Sequence, residues 1–329
     1  MNAVDLIESV AQSLEDHVVD ASPIAVGLSG GIDSVVLLDI LVELRASKRL
    51  APNALQAIHV HHGLSPNADQ WLAFCEKLCL GLDVDFQSHR IAVARDAAGG
   101  VESAARAARY AAFASSDAQV IALAHHADDQ AETVLHQLLR GTGLQGMAGM
   151  GARRVINARQ VLVRPMLGLT RVQIEHYAAE RGLEWIEDES NADAAFTRNF
   201  LRHEVMPLLE TRFPHYRESL ARGGSHAAEA SELTEALARE DLKANSDRGA
   251  GPAEVTVGML DGYSLVRQCN ALYWWLRWCD VARPSHAQLE EWARVLFRPS
   301  PDDKPHQAGG HDYLIVRRRD RLMLRRRDR

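Results

Sequence analysis

Two short stretches hold side chains suited to a reaction centre: Ser29-Gly30-Gly31-Ile32-Asp33-Ser34, and His125-His126-Ala127-Asp128-Asp129-Gln130-Ala131-Glu132. In the first, paired glycines let successive backbone N–H groups converge on one oxyanion, and Ser29 and Ser34 add hydroxyl donors. An aliphatic run precedes this loop and the dense apolar run Val35 to Leu41 follows it. The loop therefore joins a strand to a buried helix whose positive end faces the anion. Asp33 repels phosphate unless a cation intervenes, and Mg²⁺ shared between its carboxylate and the phosphates resolves the conflict. A Walker loop is excluded because Lys48 lies beyond the helix, and GxGxxG is absent. The plainer alternative is a glycine-rich turn with Asp33 capping a helix. In the second stretch Asp128 and Glu132 are i,i+4 neighbours and Asp129 and Glu132 are i,i+3, so the three carboxylates share one helix face. First-turn acids also complement a helix dipole without any ligand. Their place at a strand end, beside the phosphate loop, favours a site.

The elements that must position these groups alternate. Strands are expected at 24–29, 55–62, 84–93 and 119–126, and helices at 34–45, 69–79, 102–115 and 128–140. Such alternation predicts an α/β fold, a Rossmann-like parallel sheet covered by helices, with ligands outside the carboxyl ends of the strands. The polar clusters 29–34, 59–63 and 125–132 fall at those ends. The segment 197–207 reads as a helix ended by Pro207, with Arg198 and Arg202 four apart. Beyond it, 215–245 has helical spacing and SDRGAGP (246–252) breaks the chain. A strand at 254–257, an aromatic helix at 272–279, a helix at 285–297, a Pro/Asp-rich loop and a terminal hairpin complete a smaller α+β domain. The expected division is 1–213 for the nucleotide-binding catalytic domain, 214–245 for a helical linker and 246–329 for a small substrate-binding domain.

Composition narrows the class. The 329 residues are 47% hydrophobic and 25% charged, as in a soluble globular protein of two domains. No apolar stretch reaches the roughly 18–20 residues of a membrane span, and the acidic amphipathic N-terminus is unlike a signal peptide. Both predict a cytoplasmic chain with no membrane association, and no protein partner is evident. Net charge is −7, yet RRRDRLMLRRRDR at the end carries eight arginines and two aspartates. Arginine is the cation best shaped for phosphate; an exposed turn is the equal alternative. Cys75, Cys79, Cys269 and Cys279 form no CxxC pair and read as buried thiols. Of His59, His61 and His62, alternation sends the first two to one sheet face, and polar packing is favoured over a zinc site for want of matching ligands. Tyr273, Trp274, Trp275 and Trp278 read as core rather than a base-stacking platform.

SGGIDS resembles the signature of the PP-loop ATP pyrophosphatases, which split ATP into AMP and pyrophosphate. IHVHHGLSPNADQW (58–71), VESAARAARYAAF (101–113), ALAHHADDQAETVLHQLLRGTGLQGMAGM (122–150), RPMLGLTR (164–171) and WIEDESNADAAFTRNFLRHEVMPLL (185–209) together resemble the tRNA(Ile)-lysidine synthase family. The resemblance is dense from about residue 20 to 213 and fainter through the aromatic helix and final hairpin. It extends to that family's middle, substrate-binding domain but not to the further C-terminal domain of longer members. It implies adenylation of carbon-2 oxygen of the wobble cytidine in a CAU-anticodon isoleucine tRNA, then attack by the ε-amine of L-lysine. The nucleotide site it implies is Ser29, Gly30, Gly31, Ile32, Asp33 and Ser34 with Arg106, and Mg²⁺ on Asp33 through the ATP phosphates. Lysine needs acids, which Asp128, Asp129 and Glu132 supply; one of them, or His126, takes the amine proton. Arg140, Arg198 and Arg202 are expected on the anticodon backbone, with Asp188, Ser190 and Asn191 just upstream of the last two. Glu102 pairs with Arg106 as a surface ion pair in the plainer view. Two rivals share the loop: a tRNA thiolase, needing reactive or cluster-binding cysteines, and a tRNA-binding relative without catalysis.

Overall fold

The computed structural model describes residues 2–18, 22–51, 54–63, 65–91, 101–187, 197–242, 253–256, 258–298 and 305–327. It divides into two compact units, Met1–Ser225 and His226–Arg329, whose boundary falls inside one long helix.

In the first unit α1 (Ala3–His17) leads into β1 (Ile24–Gly27), whose Ile24, Ala25 and Val26 are fully buried, as a strand covered on both faces requires. Next come α2 (Ile32–Ala46), β2 (Leu55–His61), α3 (Ala68–Gly81), β3 (Asp85–Arg90), α4 (Val101–Ala114) and β4 (Val120–Ala122). Then follow α5 (Ala127–Leu139), the single turn α6 (Leu144–Met147), β5 (Arg153–Val155), β6 (Val161–Val163) and α7 (Arg171–Glu180). The sheet order is β3-β2-β1-β4-β6-β5. Every neighbouring pair is parallel except β5 with β6. The chain steps outward from β1 to β3, then returns to the other side of β1 as β4. That reversal opens a crevice beyond the carboxyl ends of β1 and β4, where both reactive stretches begin.

α2 is apolar all round, from Ile32 to Leu44, and buries its only mid-helix acid, Asp39. Asp39 is not left unpaired: Tyr177 of α7 donates its hydroxyl at 2.7 Å, and Arg181 donates Nε at 3.1 Å. Arg181 also engages Glu43. These bonds lock α7 along α2. Tyr177→Phe is expected to remove about 1.5–3 kcal/mol, the usual worth of a hydrogen bond to a charged group, read as a lower urea midpoint for the first unit's transition.

After α7 the described chain resumes with α8 (Thr197–Phe200), a π-turn over Leu201–Val205, and α9 (Met206–Arg212). Pro207 does not end a helix, as expected from sequence; it sits in the first turn of α9, where a missing N–H costs nothing. α10 (Tyr216–Leu242) crosses into the second unit.

The second unit contains β7 (Glu254–Thr256), α11 (Leu265–Trp278), α12 (His286–Leu296), β8 (His306–Gly309), β9 (Tyr313–Arg318) and β10 (Arg321–Arg326). Its antiparallel sheet runs β7-β10-β9-β8. Trp275 is fully buried in a core with Leu272, Trp292 and Ile315, and Trp274, nearly as buried, donates Nε1–H to Thr234 Oγ1 of α10 at 3.3 Å. The aromatic run thus serves mainly as packing. β8 lies where a loop was expected, because its pairing with β9 offers backbone partners that outweigh the neighbouring Pro and Gly residues.

Candidate active site

Gly30 turns the loop with φ of +92°, a conformation that suits glycine. A Cβ there would also lie 2.9 Å from Ile186 Cδ1 and 3.2 Å from Cys75 Sγ. The loop amides are held by the loop's own hydroxyls, two of them on one oxygen. Ser29 and Gly30 N–H each donate to Ser34 Oγ at 3.2 Å, and Gly31 N–H donates to Ser29 Oγ at 3.3 Å. These are long, weak bonds that a phosphate oxygen can replace. Ile32, next in the loop, is buried and anchors the start of α2.

Asp33 stands in the first turn of α2. Burial lifts its carboxyl above the usual range, while His126 and Arg171 act against that lift. Arg171 Nη1 lies 2.9 and 3.0 Å from the two carboxylate oxygens. His126, the buried N-cap residue of α5, places Nε2 3.7 Å from Asp33 and 3.5 Å from Asp129, with Nδ1 3.6 Å from Asp128. Those separations exceed a good hydrogen bond, so the attraction is chiefly electrostatic. Burial alone would lower the imidazole pKa; Asp128, Asp129 and Asp33 outweigh it, and the net shift is upward.

The three acids of α5 turn toward the same crevice. Asp128 accepts from Arg217 Nε at 2.5 Å and from the backbone N–H of Arg171 at 2.8 Å. Burial opposes its ionisation, but His126, the Arg171 amide and Arg217 hold the carboxyl far below the ordinary range. Asp129 accepts from the His126 backbone N–H at 3.1 Å and from Arg202 at 3.0 Å. Glu132, buried, is forked by Arg202 through Nε at 2.6 Å and Nη2 at 2.9 Å. Burial raises its pKa, against the pull of Arg202. Arg202, expected on the anticodon backbone, lies in the π-turn Leu201–Val205, and in the ligand-free chain its guanidinium is engaged by the acidic cluster.

A second wall is positive. Arg106 and Arg154 lie on the Tyr110 ring, each 5.2 Å from its centroid, and Arg106 Nη2 donates to the Tyr110 hydroxyl at 3.1 Å. Buried Arg164 donates to Gly151 O at 2.5 Å. Burial pushes His125 down to about 4, and Arg164, Arg106 and Arg109 push the same way despite Asp129. A neutral imidazole among guanidinium groups marks a field that favours anions. Positive groups act on His125 from one side of the His125–His126 pair, and the carboxylates act on His126, so cationic and anionic groups adjoin there.

Arg140 caps α5 in an exposed turn, and Arg198 lies on α8. Asp188, Ser190, Asn191 and the Glu102 side chain lie outside the described residues. His59 donates Nδ1–H to Leu28 O at 2.9 Å, and His61 Nε2 lies 3.3 Å from Asp69. Among the described residues no group of three or more His, Cys, Asp and Glu side chains is arranged to hold a metal ion. In the terminal hairpin Arg317 pairs with Asp261 and Arg321 with Glu254, so part of its charge is neutralised within the fold. Sequence reasoning missed Arg171, Arg217 and Arg164. Only Arg171 and Arg164 carried a signal, as the two ends of RPMLGLTR.

A PP-loop domain model matches residues 3–209, and a TilS substrate-binding domain model matches residues 257–323. A tRNA(Ile)-lysidine synthase of Actinobacillus pleuropneumoniae is 39% identical over 302 residues, covering 91% of this chain and 68% of that one. The chain belongs to the tRNA(Ile)-lysidine synthase family. The lysidine synthase of Chromobacterium violaceum is 42% identical over 290 residues, of whose length the chain covers 65%. That of Pseudomonas syringae is 46% identical over 263 residues, with 58% of its length covered. The chain thus spans about two thirds or less of these lysidine synthases. Among solved structures, a U34-tRNA thiolase from Methanococcus maripaludis superposes with a TM-score of 0.57 at 18% identity, covering 68% of this chain and 78% of that one. At that identity the likeness is one of fold. Unlike a reactive thiol, Cys75 and Cys79 are fully buried, and burial pushes each up to about 12.

Proposed function

We propose that this chain performs lysidine synthesis: ATP-dependent joining of L-lysine to carbon 2 of the wobble cytidine in CAU-anticodon isoleucine tRNA, releasing AMP and pyrophosphate. The observation that carries it is the convergence of Asp33 from the Ser29–Ser34 loop and of Asp128 and Asp129 from α5 on one buried imidazole, His126, with Glu132 joined to Asp129 through Arg202. In the first step cytidine O2 attacks the α-phosphate. The loop amides and Arg106 receive the phosphate charge that develops. Asp33 fits a Mg²⁺ ligand, because one partly buried carboxylate already drawing a cation beside a phosphate loop is the donor set Mg²⁺ uses alongside phosphate oxygens. The metal when bound neutralises phosphate charge. In the second step Asp129 and Glu132 seat the ε-ammonium, in the place where Arg202 now lies. Glu132, its pKa raised by burial, is the better proton acceptor; Asp128, held strongly ionised, is the poorer. The amine then attacks carbon 2 and AMP leaves. Arg140, Arg198 and the positive wall are suited to anticodon phosphates, which fix register rather than sequence.

The thiolase reading is disfavoured by the buried, unactivated cysteines, and the non-catalytic reading by the intact cluster. The test incubates the protein with ATP, labelled lysine and isoleucine tRNA transcripts. Label is expected in RNA bearing CAU and not in RNA with a changed wobble base. Absence of label from both, with pyrophosphate release intact, would remove lysine as the nucleophile.

A further inference from the structure

Arg171 is bound at three points, one through its backbone and two through its side chain. Its backbone N–H donates to Asp128 at 2.8 Å, which pins the first residue of α7 in the crevice. Further along α7, Tyr177 and Arg181 tie the helix to Asp39 of α2. The helix that begins at the phosphate loop thus also fixes where Arg171 starts. The side chain is less constrained: it is 40% exposed, with Nε on Glu175 at 2.8 Å and Nη1 on both oxygens of Asp33. A planar guanidinium that bonds a carboxylate bonds phosphate oxygens with the same geometry. A cation shared between Asp33 and phosphates takes over the charge that Arg171 now neutralises, and leaves the guanidinium free at the mouth of the loop.

We propose that Arg171 is a phosphate-binding residue with two stations: Asp33 in the ligand-free chain, and the leaving pyrophosphate portion of ATP when the loop is filled. The proposal rests on the loop's being the ATP site. As cytidine O2 bonds to the α-phosphorus, the bond from that phosphorus to the bridging oxygen breaks and its electron pair stays with pyrophosphate. Arg171 stabilises that growing charge and needs no proton transfer to do so. Its anchored backbone makes the swing a side-chain rotation, with α7 unmoved.

The test is direct binding of inorganic pyrophosphate with Mg²⁺, and separately of AMP, to the full chain by calorimetry. Arg171→Ala and Arg171→Gln are expected to weaken pyrophosphate about ten- to hundredfold, the worth of a lost charge-assisted bond. Arg171→Lys, a point charge, is expected to fall between them and the wild type. AMP affinity is expected to change by less than about threefold in all three, since a residue on the leaving portion does not touch AMP. Pyrophosphate affinity unchanged in both Ala and Gln variants overturns the proposal. Equal losses for AMP and pyrophosphate also overturn it, because they mark Arg171 as structural. Failure of the wild type to bind pyrophosphate or ATP overturns the ATP reading of the loop as well, which separates the two ideas.

Discussion

Asp33→Ala is expected to lower tRNA-dependent pyrophosphate release by at least about 10²–10³-fold, the range for losing one preorganised electrostatic group at a reacting centre. Asp33 is the acid nearest the loop amides and faces Arg171 and His126. Removing it takes away the carboxylate proposed to share Mg²⁺ with ATP, so adenylation fails before lysine enters. Asp33→Asn keeps the volume and discards the charge, so it is expected to fall with the alanine variant. Single-turnover measurement of pyrophosphate, with lysine omitted, isolates this step. A decrease below about tenfold in both variants would mean that the phosphate charge is met elsewhere. Arg106, Arg154 and Arg164 on the positive wall are the groups able to do so.

That first site was legible because local rules and the fold demand the same residues. Gly30 has to be glycine, since its φ is positive and a Cβ would strike Ile186. The strand–turn–helix pattern around it needs no distant information. The α5 acids were legible for the same reason, their spacing alone placing them on one face. What faces them was not. Arg171 meets Asp33 across 138 residues and Arg202 meets Glu132 across 70, and no periodicity encodes such pairings. Arg202 was expected on the anticodon backbone because it stands four residues after Arg198; it lies in the π-turn Leu201–Val205, and its guanidinium pairs with Asp129 and Glu132. The same irregularity brings Pro207 to a helix start instead of a helix end. β5 and β6, three residues each, were not anticipated, although β4 and β7 of the same length were. In the second unit β8 was hidden by the Pro- and Gly-rich composition around it.

The charges explain why an ammonium-binding cluster and a phosphate loop coexist. Carboxylates at this density repel the triphosphate that must bind next to them. Here three arginines serve the four acids: Arg171 for Asp33, Arg217 for Asp128, and Arg202 shared between Asp129 and Glu132. The negative charge of the cluster is thereby largely offset within the fold.

Glu132→Ala is expected to raise the KM for lysine roughly hundredfold while changing the KM for ATP by less than about threefold, because truncating one partner of a buried charge pair costs several kcal/mol and acts on the ligand that uses it. Glu132 is buried at the base of the cluster, and both its oxygens are engaged by Arg202. An ε-ammonium entering that place gains two carboxylates, Glu132 and Asp129, for the guanidinium it displaces. Without Glu132, Arg202 keeps only Asp129 and the ammonium loses its deeper partner. Glu132→Gln separates the two roles proposed for the residue. The amide preserves shape and accepts one hydrogen bond, so lysine affinity is expected to recover partly. It cannot take the amine proton, so turnover at saturating lysine is expected to stay low. Glu132→Asp keeps the base but shortens its reach, and is expected to show the opposite balance, with KM affected more than kcat. Lysine dependence measured on pre-adenylated tRNA reads these effects without the ATP step. If Glu132→Ala binds and uses lysine as the wild type does, the amine is seated on other acids. The pairing of Glu132 with Arg202 would then serve only to hold the π-turn against α5.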